Sequence, residues 1–438
     1  MTHPTVSHIR IDQDRLWSSL QDLGELGAYD DGETGLRGVR RLALTDEDIQ
    51  GRQLVLGWME NAGLTIRIDQ MGNIYARRAG GSDSLPPVMM GSHIDSVGTA
   101  GKFDGCLGVL GGLEVIRTLN ENDVVTLRPL ELAIFTEEEG VRFGTDMLGS
   151  AVAAGRLLLE QALEIQDRDG TSVRTELERH GLIGDVQVPI TPPYAYLECH
   201  IEQGPILAAA TRQIGVVQGI QAITWKELHI TGRAAHAGAT PQTLRRNAGL
   251  AAAMITVQLN EMVESGRYGQ MLATVGRHDS YPNLINIVPA KVLMTVDMRN
   301  PDGDSMRLME SHLDRYLAEV ERATGVSIAS RTTAKTPPVA FPIRMRELVA
   351  KTATNLGFSY MEITSGAGHD AGEIASISPA GMVFIPGLYD GISHNPREYS
   401  TPEACADGIN VLLQAVVELA NHPAVSLEAH TSGSALVL

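Results

Sequence analysis

Near the N-terminus Leu16, Leu20 and Leu23 recur at helical spacing and predict an amphipathic opening helix. Two β-rich stretches follow, 65–68 and 73–77, joined across a Met-Gly-Asn turn. The apolar run 87–90 predicts a strand ending in Gly-Ser-His-Ile-Asp. A helix is predicted over 108–119, with Val109, Leu113 and Ile116 on one face. The next strand, 130–135, runs straight into Thr-Glu-Glu-Glu-Gly. Strands alternating with helices, and opening into loops rich in chemistry, predict an α/β sheet with a site at its strand ends.

From about 215 to 332 the rhythm changes. A strand at 224–231 leads to an Ala-rich helix near 244–262. A second strand, 291–299, alternates Val292, Met294, Val296 and Met298 with more polar neighbours. A helix then carries Met306, Met309, Leu313, Leu317 and Val320. These units predict a small α+β domain inserted into a larger one, which divides the chain into 1–214, 215–332 and 333–438. Beyond it, 382–385 reads as a strand, and Thr401 caps a helix that starts Pro402-Glu403. The tail past Ala424 is small and polar and is expected to fray.

Composition narrows the function. The chain has 438 residues, a length that suggests two or three domains, and 43% of them are hydrophobic, ample for one or two packed cores. Its formal charge of −18 argues against nucleic acid and requires a local cation for any anionic substrate. Cys106, Cys199 and Cys405 match no zinc-finger or disulfide spacing, which fits a reducing compartment. Without a signal-like N-terminus or a bilayer-length apolar run, the expectation is a cytoplasmic protein that spans no membrane.

Four segments concentrate metal-capable side chains: His93-Ile-Asp95 with Asp104; Glu137-Glu138-Glu139; Glu198-Cys-His200-Ile-Glu202-Gln203; and Ser393-His394 with Glu398. Imidazole and carboxylate together suit Zn²⁺, Mn²⁺ or Co²⁺, and one carboxylate can bridge two ions. Any one segment alone reads as a packed histidine or a solvated acidic face. The acidic triplet directly follows an apolar strand, however, and glycines at 105 and 140 permit tight turns beside it. No Gly-x-Ser-x-Gly elbow is present, and Cys106 and Cys199 read as small packing residues.

The motifs Gly-Ser-His-Ile-Asp-Ser, Gly-Lys-Phe-Asp-Gly, Glu-Glu-Glu-Gly-Val-Arg-Phe, His-Ile-Glu-Gln-Gly-Pro, Ala-His-Ala-Gly and Ser-Gly-Ala-Gly-His-Asp-Ala span almost the whole chain. In them the chain resembles the hydantoinase/carbamoylase branch of the M20 metallopeptidase family. That branch holds N-carbamoyl-L-amino acid hydrolases, β-ureidopropionases and allantoate amidohydrolases. The resemblance implies a mixed-sheet di-metal catalytic domain with an inserted ferredoxin-like lid and dimerisation domain. It implies two divalent ions, one held by His93 and His200, the other by Glu139 and His394, with Asp104 between them. Glu138 matches the general base, Glu137 is left as the spare carboxylate, and Asp95 is placed to orient His93. His236 matches an oxyanion-stabilising histidine that acts across a homodimer. Gln203, Asn286, Arg299, Gly366 and His369 match substrate-binding positions. The implied reaction removes the carbamoyl group of an N-carbamoyl amino acid. Within the class the rivals are allantoate hydrolysis and, further off, dipeptidase or deacylase activity; outside it, a non-catalytic binding protein. Two departures, Gln242 and Asn247, fall in the inserted segment and bear on substrate preference and the subunit contact.

Overall fold

The computed structural model describes residues 8–423, so the tail beyond Ala424 lies outside it. The chain forms two compact units, one running to Gly219 and resuming at Ala340, the other comprising Ile220–Val339.

In the larger unit the opening helix is Gln13–Gly24, capped by Asp12, whose carboxylate accepts from Arg15 N–H. Leu16, Leu20 and Leu23 are buried, as their spacing predicts. Four strands form the middle of the sheet in the order Ala380–Ile385, Ala195–Ile201, Val88–His93 and Leu130–Phe135. All three contacts between them are parallel. Antiparallel neighbours flank them: Ile214–Ile220 on one side, Ile74–Arg78 and then Thr65–Ile68 on the other. The sheet is therefore mixed, and the fold is α/β.

Every residue of the four parallel strands is buried, which requires cover on both faces. Helices Cys106–Glu121 and Pro402–Ala420 supply much of it, sharing one apolar core with Gln13–Gly24. Thr401 caps the second of these through Ala404 N–H. The Cys106–Glu121 helix lies so close to the sheet that a Cβ on Gly108 would meet the carbonyls of Gly91 and Cys199. Since the four strands run the same way, residues just past His93, Phe135, Ile201 and Ile385 gather at one edge. The metal-capable segments are there.

In the smaller unit Ala222–Thr231 pairs antiparallel with Lys291–Asn300 on one side and Ser327–Thr336 on the other. Leu272–Thr274 and His278–Tyr281 line the far side of Lys291–Asn300. Helices Ala248–Glu264 and Gly303–Thr324 bury Ile255, Leu259, Met309 and Leu313 with Met294, Val296 and Met298 in a second core. The helix expected from 244 begins later, at Ala248, because the Asn247 side chain takes Leu250 N–H and caps it there. Residues 242–244 form a 3-10 turn instead. The last strand continues past 332 to Thr336, along the length of Ala222–Thr231.

Two glycines test this packing. Gly91 has φ +151°, and a Cβ there would run into the Ala133 carbonyl of the neighbouring strand. Gly57, within the Asp46–Asn61 helix, has open space at the same position. Gly91→Ala is expected to destabilise by about 3 kcal/mol or more. Gly57→Ala is expected to stabilise by about 0.5–1 kcal/mol. Denaturant midpoints of the two variants measure both, and equal midpoints contradict the register described.

Candidate metal centre

Asp104 sits in the tight turn before the Cys106–Glu121 helix, where Gly105 adopts φ +65°. Its two oxygens face different partners. Oδ1 lies 3.1 Å from His200 Nε2 and 3.7 Å from His93 Nε2. Oδ2 lies 3.5 Å from His394 Nε2, which is in turn 3.2 Å from Glu139 Oε2. Two donor sets result, His93–Asp104–His200 and Asp104–Glu139–His394, the donor atoms of each lying within 4.8 Å of one another. Asp104 belongs to both.

The imidazoles are oriented by main-chain carbonyls. His93 Nδ1 is 3.0 Å from the Asp95 oxygen and His200 Nδ1 is 2.9 Å from the Ile201 oxygen. Both Nδ1 atoms must therefore donate, which leaves each Nε2 facing Asp104, with that of His200 also 3.0 Å from Gly105 N. Asp95 thus orients His93 through its backbone, not its carboxylate, which stands 3.7 Å away. That carboxylate instead accepts the N–H groups of Glu138 at 3.4 Å and Glu139 at 3.3 Å. It anchors the turn that presents both glutamates.

The three consecutive glutamates point in three directions. Glu137, at φ +54°, turns back to accept Phe143 N–H at 2.7 Å. Glu138 Oε2 is 3.4 Å from His93 Nε2. Glu139 faces His394, and its Oε1 is buried without a hydrogen-bond partner. Arg52 lies beneath this turn, paired with Asp48 at 2.9 Å and donating to Thr136 Oγ1 at 3.1 Å.

Two further side chains at Asp104, Glu398 and Ser393, carried no assigned role in the sequence. Glu398 accepts the N–H groups of Phe103 at 2.8 Å and Asp104 at 3.2 Å. Ser393 Oγ lies 2.6 Å from both Asp104 Oδ2 and Glu398 Oε2. One hydroxyl proton cannot serve two carboxylates, so one acid carries a proton of its own. Burial, with the charge of Asp104, pushes Glu398 up to about 7, so it is the more readily protonated of the two. Gln203 donates to Asp104 Oδ2 at 2.7 Å, so it touches the centre itself. Glu198 accepts from Ser92, Tyr196 and Ala371 N–H. With His369, which is 2.8 Å from Ser365 Oγ, it forms a third grouping around His200. Those hydrogen bonds engage it as scaffold behind His200. Gly366 lies exposed in the loop that the Ser365–His369 contact closes.

The electrostatics calls for a cation. Burial pushes Asp95 and Glu138 well above the ordinary carboxylate range, and neighbouring carboxylates add to it. Burial and Asp104 raise Glu139 likewise. Hydrogen bonds to Asp104 and Glu139 raise His394 to about 11. Although burial works against it, His200 is raised to about 9 by Asp104. Burial lowers His93 to about 4. So many buried acids around a few imidazoles is a donor set short of positive charge, and the unspent Oε1 of Glu139 is a free ligand position. The mixed nitrogen and oxygen donors fit divalent transition ions.

In the smaller unit, Ala235–His236 pairs with Ile287–Val288, and Ala237 N–H donates to Asn286 O at 3.0 Å. His236 and Asn286 are therefore close neighbours, and both are exposed. His236 Nδ1 accepts the N–H groups of Gly238 and Ala239, which makes its exposed Nε2 the donor. Arg299 pairs with Asp297 two residues back on the same strand, Nη2 to Oδ2 at 2.8 Å.

The profile of peptidase family M20/M25/M40 matches residues 89–418, a span that includes every donor from His93 to His394. An N-carbamoyl-L-amino-acid amidohydrolase of Rhizobium meliloti is 41% identical over 411 residues, covering 94% of this chain and 97% of that protein. A ureidoglycolate hydrolase of Arabidopsis thaliana is 35% identical over 407 residues, covering 91% and 85%. The crystal structure of a hydantoinase/carbamoylase family amidase from Burkholderia multivorans superposes with a TM-score of 0.88 at 43% identity, over 95% of this chain and 100% of that one. With relatives this similar along nearly its full length, the chain belongs to peptidase family M20/M25/M40.

Proposed function

We propose that this protein is a metal-dependent amidohydrolase that cleaves the carbamoyl group from N-carbamoyl-L-amino acids. The observation that carries the reading is Asp104, with one oxygen toward His93 and His200 and the other toward His394. In this reading His93 and His200 hold one divalent ion, Glu139 and His394 the other, and Asp104 both. Zn²⁺, Mn²⁺ and Co²⁺ all suit that donor set. When bound, such ions act as Lewis acids toward the ureido carbonyl and make the attacking water more acidic.

Glu138 is the general base. It takes a proton from the water as oxygen adds to the carbonyl carbon, then passes it to the amino-acid nitrogen as the C–N bond breaks. The amino acid leaves free, and the carbamate left behind falls apart to ammonia and carbon dioxide. Gln203, Gly366 and His369 line the substrate position on the larger unit. His236, Asn286 and Arg299 come from the smaller unit of a second copy in a homodimer. The His236 Nε2–H stabilises the developing oxyanion, and Arg299 receives the substrate carboxylate. A second reading, a ureido acid such as ureidoglycolate or allantoate as substrate, is favoured by the 35% identity to a ureidoglycolate hydrolase.

Ammonia release from N-carbamoyl-L-amino acids, N-carbamoyl-β-alanine, ureidoglycolate and allantoate, with Mn²⁺, Co²⁺ or Zn²⁺ added, separates these substrates. Chelation is expected to abolish turnover and re-metallation to restore it. Turnover of dipeptides alone overturns the carbamoylase reading. Glu138→Gln is expected to lower kcat by about 10²–10⁴ while metal content stays unchanged. Full activity in that variant removes Glu138 as the base. Subunit sharing has its own test. An equimolar co-refolded mixture of the inactive Glu138→Gln and His236→Ala chains is expected to recover about a quarter of native activity, since half the dimers carry one intact site. No recovery in mixed dimers excludes His236 acting in trans.

A further inference from the structure

Arg41 is only 1% exposed, yet among the described residues no carboxylate is in ion-pair contact with its guanidinium. Every bond it makes runs to a neutral acceptor. Nε donates to Ile94 O at 2.7 Å. Nη1 donates to Leu23 O at 2.9 Å and Leu26 O at 2.8 Å. Nη2 lies 3.1 Å from Cys106 Sγ. Its main chain adds two more links, N–H to Ser96 Oγ and carbonyl to Ser96 N–H, both 2.8 Å.

An unpaired charge buried this completely is costly, so something must compensate it. Leu23 and Leu26 lie at the C-terminal end of the Gln13–Gly24 helix, where carbonyls carry partial negative charge and no basic residue stands in the last turn. The other two acceptors belong to the metal centre's own supports. Ile94 lies between His93 and Asp95, and Cys106 is two residues past Asp104. One rigid cation thus ties the loop that carries His93 to the turn that carries Asp104, and braces both against a helix end.

We propose that Arg41 is a positioning residue for the metal centre, holding His93 and Asp104 in register and lending fixed positive charge to an acid-rich site. The inference rests on the metal reading above. A guanidinium suits the task because its planar fork reaches acceptors on three separate segments, which an ammonium cannot match. The plain alternative is that Arg41 only staples the fold by capping the opening helix.

Co²⁺ binding separates the two, measured by competition with a chromophoric chelator and by the visible spectrum of the bound ion. Far-UV circular dichroism and the melting temperature of the metal-free protein serve as fold controls. Arg41→Gln is expected to weaken Co²⁺ binding about 10- to 100-fold in protein that remains folded, and to alter the spectrum. Arg41→Lys, which keeps the charge but not the fork, should recover part of the affinity. A folded Arg41→Gln that binds Co²⁺ within about twofold of the native protein, with an unchanged spectrum, overturns the proposal. If Arg41→Gln does not fold, Cys106→Ala decides, because it removes the acceptor on the Asp104 side, with a longer Sγ contact to Ile94 O, and leaves Arg41 in place. Weaker Co²⁺ binding supports the proposal; native affinity overturns it. Native protein that binds no Co²⁺ sinks the metal reading itself, an outcome distinct from equal binding by native and variant.

Discussion

The cluster of carboxylates buried around Asp104 dominates this molecule. Asp95, Asp104, Glu137, Glu138, Glu198 and Glu398 are all buried within a few loops of one another, and desolvation resists ionising each of them. The protein manages the excess in three ways. Some acids are held by main-chain N–H groups, as Asp95, Glu137 and Glu398 are. Some share protons with histidines or hydroxyls. The rest face inward on the donor sets and leave a deficit of positive charge that divalent ions are suited to fill.

The sheet makes the cluster possible. Parallel strands release their chains at a common edge, so residues more than a hundred positions apart emerge side by side. The strands are buried on both faces, which gives short loops a packed base from which to present ligands. Asp104 adds a second kind of control. It starts a helix packed tightly on the sheet through Gly108, so the height of its carboxylate over the strand ends is set by backbone contact. Ligand placement is inherited from the core.

The second layer around the ligands consists largely of backbone. Carbonyls of Asp95 and Ile201 choose the histidine tautomers, and amides of Phe103, Glu138 and Glu139 bind the acids that support the site. Main-chain partners tolerate changes in side-chain identity, so such a scaffold depends on loop geometry more than on particular residues. The buried side chains Arg41, Arg52 and Glu398 fix that geometry.

Much of this was legible in the order of residues alone. Periodicity marked the opening helix, the strand at 130–135 and the alternating strand at 291–299, because each buries one continuous face or run. Thr401 announced its helix through a local hydrogen bond. The metal-capable segments stood out by chemistry, and motif resemblance grouped them. The strand Ala195–Ile201 carried no such pattern: Glu198 and His200 interrupt its apolar run, although both are buried as deeply as their neighbours. The edge strand Ser327–Thr336 is mostly exposed and has no hydrophobic face to betray it. Only tertiary structure decided that Asp95 acts on His93 through its carbonyl, that three adjacent glutamates diverge, and that Arg41 joins two ligand loops. The Asp95 carbonyl reaches its near neighbour only in the folded loop, and Arg41 meets partners distant in the chain; local propensity holds no information about which partner a buried polar group will meet.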